Sequence, residues 1–88
     1  MDLGLTGKVA LVTGGSEGIG KAAALSMVAE GAKATICARR EDVLNAAADE
    51  IRAATGGEVL AVTADVSTAE GVQKGIDATL SQFGRLDI

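Results

Sequence analysis

Val9-Ala10-Leu11-Val12-Thr13-Gly14-Gly15-Ser16-Glu17-Gly18-Ile19-Gly20 is the stretch whose reading decides the fold. Its first four residues are a continuous apolar run, as expected of a strand covered on both faces. Glycines at 14, 15, 18 and 20 follow, and then Ala22, Ala23 and Ala24, small residues that let a helix lie close to strands. A strand that feeds a glycine turn and then a helix aims free backbone N–H groups and the positive end of the helix dipole at one point. A pyrophosphate can approach that point only where no side chain blocks it, which gives Gly14 and Gly18 a reason. Gly20 allows close contact between helix and strand. The plainer reading is a tight turn, but four glycines in seven positions exceed what a turn requires.

The spacing from Gly14 is G-x-x-x-G-x-G rather than the dinucleotide pattern GxGxxG. Read from Gly15, it also approaches the phosphate loop of NTPases, with Gly20-Lys21 in place. That loop next requires Ser or Thr to ligate magnesium, and the residue here is Ala22. An apolar strand ending near Asp65 keeps the NTPase reading open as an alternative.

Working outward, further apolar runs at residues 34–38 and 59–62 alternate with amphipathic stretches. A first helix is expected from about Gly18 to Gly31. A second, from about 41 to 55, carries Leu44, Ala47, Ala48 and Ile51 on one face and ends at Gly56-Gly57. A third aligns Val72, Ile76, Leu80 and Phe83 in a stripe and closes at Gly84, with Ser67 and Glu70 as its capping box. Leu86-Asp87-Ile88 reads as the opening of a fourth strand. The order β-α-β-α-β-α with the start of a further strand predicts a doubly wound parallel α/β sheet. Cut at this point, the first strand is expected to be an unpaired edge open to association.

Composition narrows the function. The 88 residues allow one small domain, with 48% hydrophobic residues but one Phe and no Trp or Tyr. A net charge of −4 with interspersed signs argues against nucleic acid or a membrane surface as partner. No run approaches a membrane span, Met1-Asp2-Leu3-Gly4 lacks a signal-peptide pattern, and Cys37 is the single cysteine, so a soluble cytoplasmic domain is expected. With no His and no Tyr, binding is easier to argue than catalysis.

Two places beyond the glycine turn carry recognition chemistry. After the second run, Ala38 offers no carboxylate to a ribose 2′-hydroxyl, and Arg39-Arg40 follow. Paired guanidiniums neutralise a phosphate, which favours NADP(H) over NAD(H). The alternative is that both are solvated or pair with Glu41 and Asp42. Asp65 follows the third run and either accepts a hydrogen bond from the adenine amino group or caps the next helix. Cys37 reads as a small buried residue, and Lys21 and Lys74 as solvated helix positions.

These residues resemble the classical short-chain dehydrogenases/reductases across essentially the whole chain. Their T-G-x-x-x-G-x-G motif matches at Thr13, Gly14, Gly18 and Gly20, and their adenine-contacting acid pair matches Asp65-Val66. Residues 83–88 resemble their lead into strand four. The likeness is nearest to 3-oxoacyl-[acyl-carrier-protein] reductase-like members. It implies a Rossmann-like sheet in which residues 1–88 are the N-terminal part of a single NAD(P)-binding domain. Ser16 and Ile19 would contact ribose and pyrophosphate through their backbone, Thr13 would brace the turn, and Arg39 would hold the 2′-phosphate. Glu17 stands where NADP-preferring members often carry a base, so the preference rests on Arg39 with Arg40, and NAD(H) stays possible. The resemblance implies hydride transfer between a nicotinamide and an alcohol or carbonyl in a parent protein that is a homo-oligomer. The family's Tyr-x-x-x-Lys, Ser and Asn apparatus has no counterpart here, so this chain alone is expected to be inactive and no catalytic residue is named. A P-loop NTPase fragment and a noncatalytic α/β interaction module are the alternatives.

Overall fold

The structure, a computed structural model, describes residues 4–14 and 18–88. Three strands and three helices alternate: β1 (Val9–Thr13), α1 (Gly18–Ala29), β2 (Lys33–Ala38), α2 (Glu41–Thr55), β3 (Val59–Thr63) and α3 (Ala69–Phe83). The strands are all parallel, in the order β1-β2-β3. Thr13 lies opposite Cys37, and Ala38 opposite Thr63, so the carboxyl ends of all three strands come out together.

The sheet has helices on both faces, which makes it the doubly wound, Rossmann-like arrangement expected. β2 is buried from Ala34 to Cys37, the polar Thr35 included, as expected of a strand covered on both faces. Successive side chains alternate between faces. Ala34 and Ile36 join Ala24 and Val28 of α1 and Leu44, Ala47, Ala48 and Ile51 of α2 in the main core. Cys37 lies on the other face, against α3, in a smaller cluster with Val62 and Ala64.

α2 is buried through the face that its periodicity predicts. Leu44 and Ile51 are both 0% exposed, and full burial of such a side chain is worth about 1.5–3 kcal/mol. The helix stops at Gly56, which adopts φ 71° and donates to the Arg52 carbonyl.

α3 departs from expectation in two respects. Its buried line is Gly71, Gly75 and Thr79, whereas Leu80 is 45% exposed and Val72, Ile76 and Phe83 are half-buried. Close approach selects the small residues. A Cβ at Gly71 would lie 1.7 Å from the Asp65 carbonyl oxygen, and one at Gly75 would lie 2.9 Å from Cys37 Sγ. The helix therefore sits too near the sheet for its large side chains to point inward. The buried Thr79 hydroxyl bonds the Gly75 carbonyl at 2.7 Å and shares a 2.8 Å hydrogen bond with Thr35 Oγ1 of β2.

The cap of α3 is Thr68, whose Oγ1 accepts from Gly71 N at 3.0 Å; Ser67 and Glu70 form no capping box. Ser67 is drawn instead to Asp65, donating both its N–H and its hydroxyl to Oδ1. That turn places Thr68, not Ser67, at the extended residue before the helix.

The outer edge of β1 is not left unpaired. Residues 86–88 run along it: Asp87 N donates to the Val9 carbonyl at 2.8 Å, and Leu11 N donates to the Ile88 carbonyl at 3.0 Å. Asp87 Oδ2 accepts the Val9 N–H at 2.9 Å. The strand opening expected at Leu86-Asp87-Ile88 is thus a ladder partner of β1, although it is too short to be a regular strand.

Candidate functional site

Parallel packing brings the segments after β1, β2 and β3 to one edge of the sheet, where open α/β sheets bind their ligands. After β1, Gly14 adopts φ 68° and donates to the Cys37 carbonyl at 2.9 Å. Gly18, the first residue of α1, adopts φ 58°. A Cβ at either glycine would meet nothing within 4 Å. Both therefore leave open space, and both hold a left-handed conformation that favours glycine. Gly15, Ser16 and Glu17 lie outside the described residues, and so does the expected backbone contact at Ser16.

After β2, Arg39 and Arg40 are both exposed. Arg40 stands at the N-cap position of α2 without a side-chain cap bond. Among the described residues, neither guanidinium has a hydrogen bond or ion pair, so the pairing with Glu41 and Asp42 does not occur, whereas the solvated alternative fits the exposure of both. Arg39 lines two adjoining cavities. One, of about 340 Å³, also has walls from Gly14, Ala38, Asp65, Val66 and Ser67. The other, of about 460 Å³, adds Thr63, Thr68 and Lys74.

After β3, the Asp65 carboxylate is fixed by Ser67. The Ser67 hydroxyl bond at 2.6 Å and N–H bond at 3.0 Å hold the carboxyl below the usual carboxylate range, and the nearby Arg39 charge lowers it further. Both Ser67 donors act on Oδ1, which leaves Oδ2 as a remaining acceptor on a residue that lines both cavities. Asp65 also serves the helix, but through its backbone carbonyl, which accepts from the Thr68 hydroxyl at 2.9 Å.

The structure thus gathers Gly14, Arg39, Asp65 and Val66 around one cavity. Thr13 ends β1, and Gly18, Ile19 and Gly20 open α1; none of them lines this cavity, and neither does Arg40, the N-cap residue of α2. Ile19 is 90% exposed, an unusual position for a large aliphatic residue. Sequence reasoning missed Ser67 as the partner of Asp65, and Lys74, whose Nζ donates to the Thr63 carbonyl at 2.6 Å. Lys74 read as solvated because nothing in a helix pattern reports a reach to a strand carbonyl. Cys37 is buried as expected, and burial pushes its thiol up, with Lys74 opposing the shift.

A dinucleotide fits this donor set. The turn offers side-chain-free backbone at Gly14 and Gly18 for a pyrophosphate, and the cavity offers an acceptor at Asp65 and an unpaired guanidinium at Arg39. Among the described residues, no helix is long and apolar enough to cross a membrane.

The comparisons with known proteins agree with this geometry. The family model of the short chain dehydrogenases matches residues 8–88, and the chain belongs to that family. It is 46% identical over 85 residues to a 3-oxoacyl-[acyl-carrier-protein] reductase of Synechocystis, covering 96% of this chain and 34% of that protein. The crystal structure of L-sorbose reductase from Gluconobacter frateurii, complexed with NADPH and L-sorbose, superposes with a TM-score of 0.94 at 44% identity, over 99% of this chain and 33% of that one. An NAD+-bound xylitol dehydrogenase superposes with a TM-score of 0.87 at 32% identity, over 94% of this chain and 32% of that one. The chain spans roughly a quarter to a third of the length of the curated relatives it matches.

Proposed function

We propose that residues 1–88 are the N-terminal part of a single NAD(P)-binding domain, the portion that holds the adenosine and pyrophosphate of NADP(H) for an oxidoreductase acting on an alcohol or carbonyl. The observation that carries the NADP preference is Arg39, a cavity-lining guanidinium with no bond to the protein among the described residues, directly after a strand that ends in Ala38 rather than a carboxylate. An acid at that strand end would accept from the ribose 2′-hydroxyl and repel a 2′-phosphate, whereas a guanidinium fork matches the phosphate. Arg40 adds charge from the N-cap position of α2. The Asp65 carboxylate, already ionised through Ser67, accepts from the adenine amino group, and Val66 packs beside the ring. Thr13, Gly14, Ser16, Gly18, Ile19 and Gly20 form the pyrophosphate turn.

The bound cofactor supplies or takes a hydride at its nicotinamide ring. The residues of this chain bind and orient; none of them is a His or Tyr able to move the proton of a carbonyl reduction near neutral pH. On this reading, the 88 residues alone have no reductase activity. The chain's likeness to both an NADPH-bound and an NAD+-bound structure leaves the choice of dinucleotide to the residues named here. The NTPase alternative is disfavoured by Ala22 and by the family match.

Calorimetric titration with NADPH, NADH and Mg-ATP tests the proposal. Tighter binding of NADPH than NADH, with at least a tenfold loss for NADPH in Arg39→Ala and little change for NADH, supports it. Equal affinity for the two, unmoved by Arg39→Ala, refutes the 2′-phosphate assignment.

A further inference from the structure

β3 is the outer strand of the sheet, and a free strand edge is a template on which another chain can pair. Strand alternation identifies the groups on that edge. Ala34 N donates to the Glu58 carbonyl at 3.1 Å, and Ala64 N donates to the Ala38 carbonyl at 2.9 Å. Residues 58, 60, 62 and 64 therefore turn their backbone groups to β2, and Val59, Ala61 and Thr63 turn theirs outward.

Both end carbonyls of this outward row are occupied by cations. Arg52, in the last turn of α2, donates Nε at 3.2 Å and also Nη2 to the Val59 carbonyl. Asp49 holds the same guanidinium at 3.0 Å through Nη1. From α3, on the opposite face of the sheet, Lys74 Nζ reaches the Thr63 carbonyl at 2.6 Å. The two side chains come from different helices and converge on the same row, and only Ala61 between them has no side-chain partner among the described residues.

We infer that Arg52 and Lys74 guard the β3 edge against pairing with a second copy of this chain. An incoming strand must displace both donors before it forms consecutive ladder bonds, and it must leave two charged groups beside a newly buried backbone, which is costly. The apolar run of β3, Val59-Leu60-Ala61-Val62, is otherwise the kind of segment that associates edge to edge.

The test replaces both guards by residues that keep the aliphatic stem but not the donor: Arg52→Met with Lys74→Met. The change adds two to the formal net negative charge of −4, which by itself opposes association. Sedimentation of the purified protein is expected to show self-association at a concentration at least tenfold lower than for the parent, with intermolecular strand coupling in isotope-edited infrared spectra and an unchanged helical circular dichroism. Adding Ala61→Pro, which removes an outward N–H only, restores the parent behaviour. If the double variant fails to fold, each single Met variant is read alone and gives a smaller shift in the same direction. Folded variants that associate no more than the parent, or association that persists after Ala61→Pro, overturn the inference.

Discussion

The Asp87 carboxylate receives the backbone N–H of Val9 at 2.9 Å, a contact between residues 78 apart in sequence. The same side chain accepts from Arg85 at 2.9 and 2.7 Å. It therefore fixes where the chain leaving α3 meets β1, and hence the register in which Ile88 joins the ladder. Because β1 carries the glycine turn at its other end, this carboxylate sets the strand on which the nucleotide site is built.

A pH dependence follows from that contact. The Arg85 bonds, the Val9 N–H and, more weakly, the charges of Arg85 and Lys8 hold the Asp87 carboxyl below its usual value. A carboxyl depressed in the folded state contributes stability above its unfolded value, near 3.9, and loses it as pH falls through the folded value. Asp65 shifts in the same direction. Urea midpoints measured from about pH 6 down to pH 2 should therefore fall on acidification, and Asp87→Asn should fall less steeply while starting lower. An unchanged acid slope in Asp87→Asn would assign the acid sensitivity elsewhere.

Much of this fold is legible in the sequence. The mainly apolar runs name the strands because a doubly covered sheet favours apolar residues, with the buried Thr35 accommodated by its hydroxyl partner Thr79, and Leu44, Ala47, Ala48 and Ile51 name the buried face of α2 through helical spacing. The left-handed glycines at 14 and 18 are legible because open backbone at a strand end constrains residue type, and Asp65 is legible as the acid that follows the third apolar run. α3 misleads because apolarity marks a buried face only where there is room for side chains; Gly71, Gly75 and Thr79 win by permitting contact. The Ser67–Asp65 bond, the reach of Lys74 and the grip of Asp87 on Val9 are side-chain-to-distant-group contacts, and periodicity carries no record of them.

Gly71 gives the sharpest packing prediction. Its added methyl in Gly71→Ala would meet the backbone oxygen of Asp65 at 1.7 Å, where nothing can rotate away. The β3–α3 turn must shift, at a cost of about 1–3 kcal/mol or more, and Asp65 must shift with it. The corresponding methyl in Gly75→Ala meets a sulfur side chain at 2.9 Å, which can move by a few tenths of an ångström. Denaturant unfolding should rank Gly71→Ala as clearly the more damaging, and nucleotide titration of the folded fraction should show weaker binding for that variant only. Equal losses in both would mean that the turn is more pliant than its geometry implies.

Neighbouring hydroxyls at 67 and 68 should separate stability from recognition. Thr68→Ala removes the cap of α3, a loss of about 1 kcal/mol. Ser67→Ala leaves the cap in place but deprives Asp65 Oδ1 of its hydroxyl donor, the largest cause of that carboxyl's depression. Carboxyl-carbon NMR titration should find Asp65 moved up toward the ordinary range in Ser67→Ala and little changed in Thr68→Ala. Unfolding midpoints should move in the opposite order. If Thr68→Ala shifts Asp65 as much, the turn and the cap act as one unit.

The hydroxyl pair between α3 and β2 should behave non-additively. Thr79 Oγ1 lies 2.8 Å from Thr35 Oγ1 and 2.7 Å from the Gly75 carbonyl, and both threonines are 0% exposed. A hydroxyl has one proton and a carbonyl only accepts, so Thr79 donates to Gly75 and accepts from the Thr35 hydroxyl. Thr79→Val keeps the shape but leaves the buried Thr35 hydroxyl without its partner, a loss of about 1–3 kcal/mol. Thr35→Val costs less if Thr79 keeps its bond to Gly75, because the remaining hydroxyl is still satisfied. With both replaced, no buried hydroxyl is orphaned, so the double variant should be more stable than the sum of the single losses predicts. Urea unfolding of the four proteins gives the coupling directly. Additive losses would show that the two hydroxyls, although in contact, contribute independently to holding α3 on the sheet.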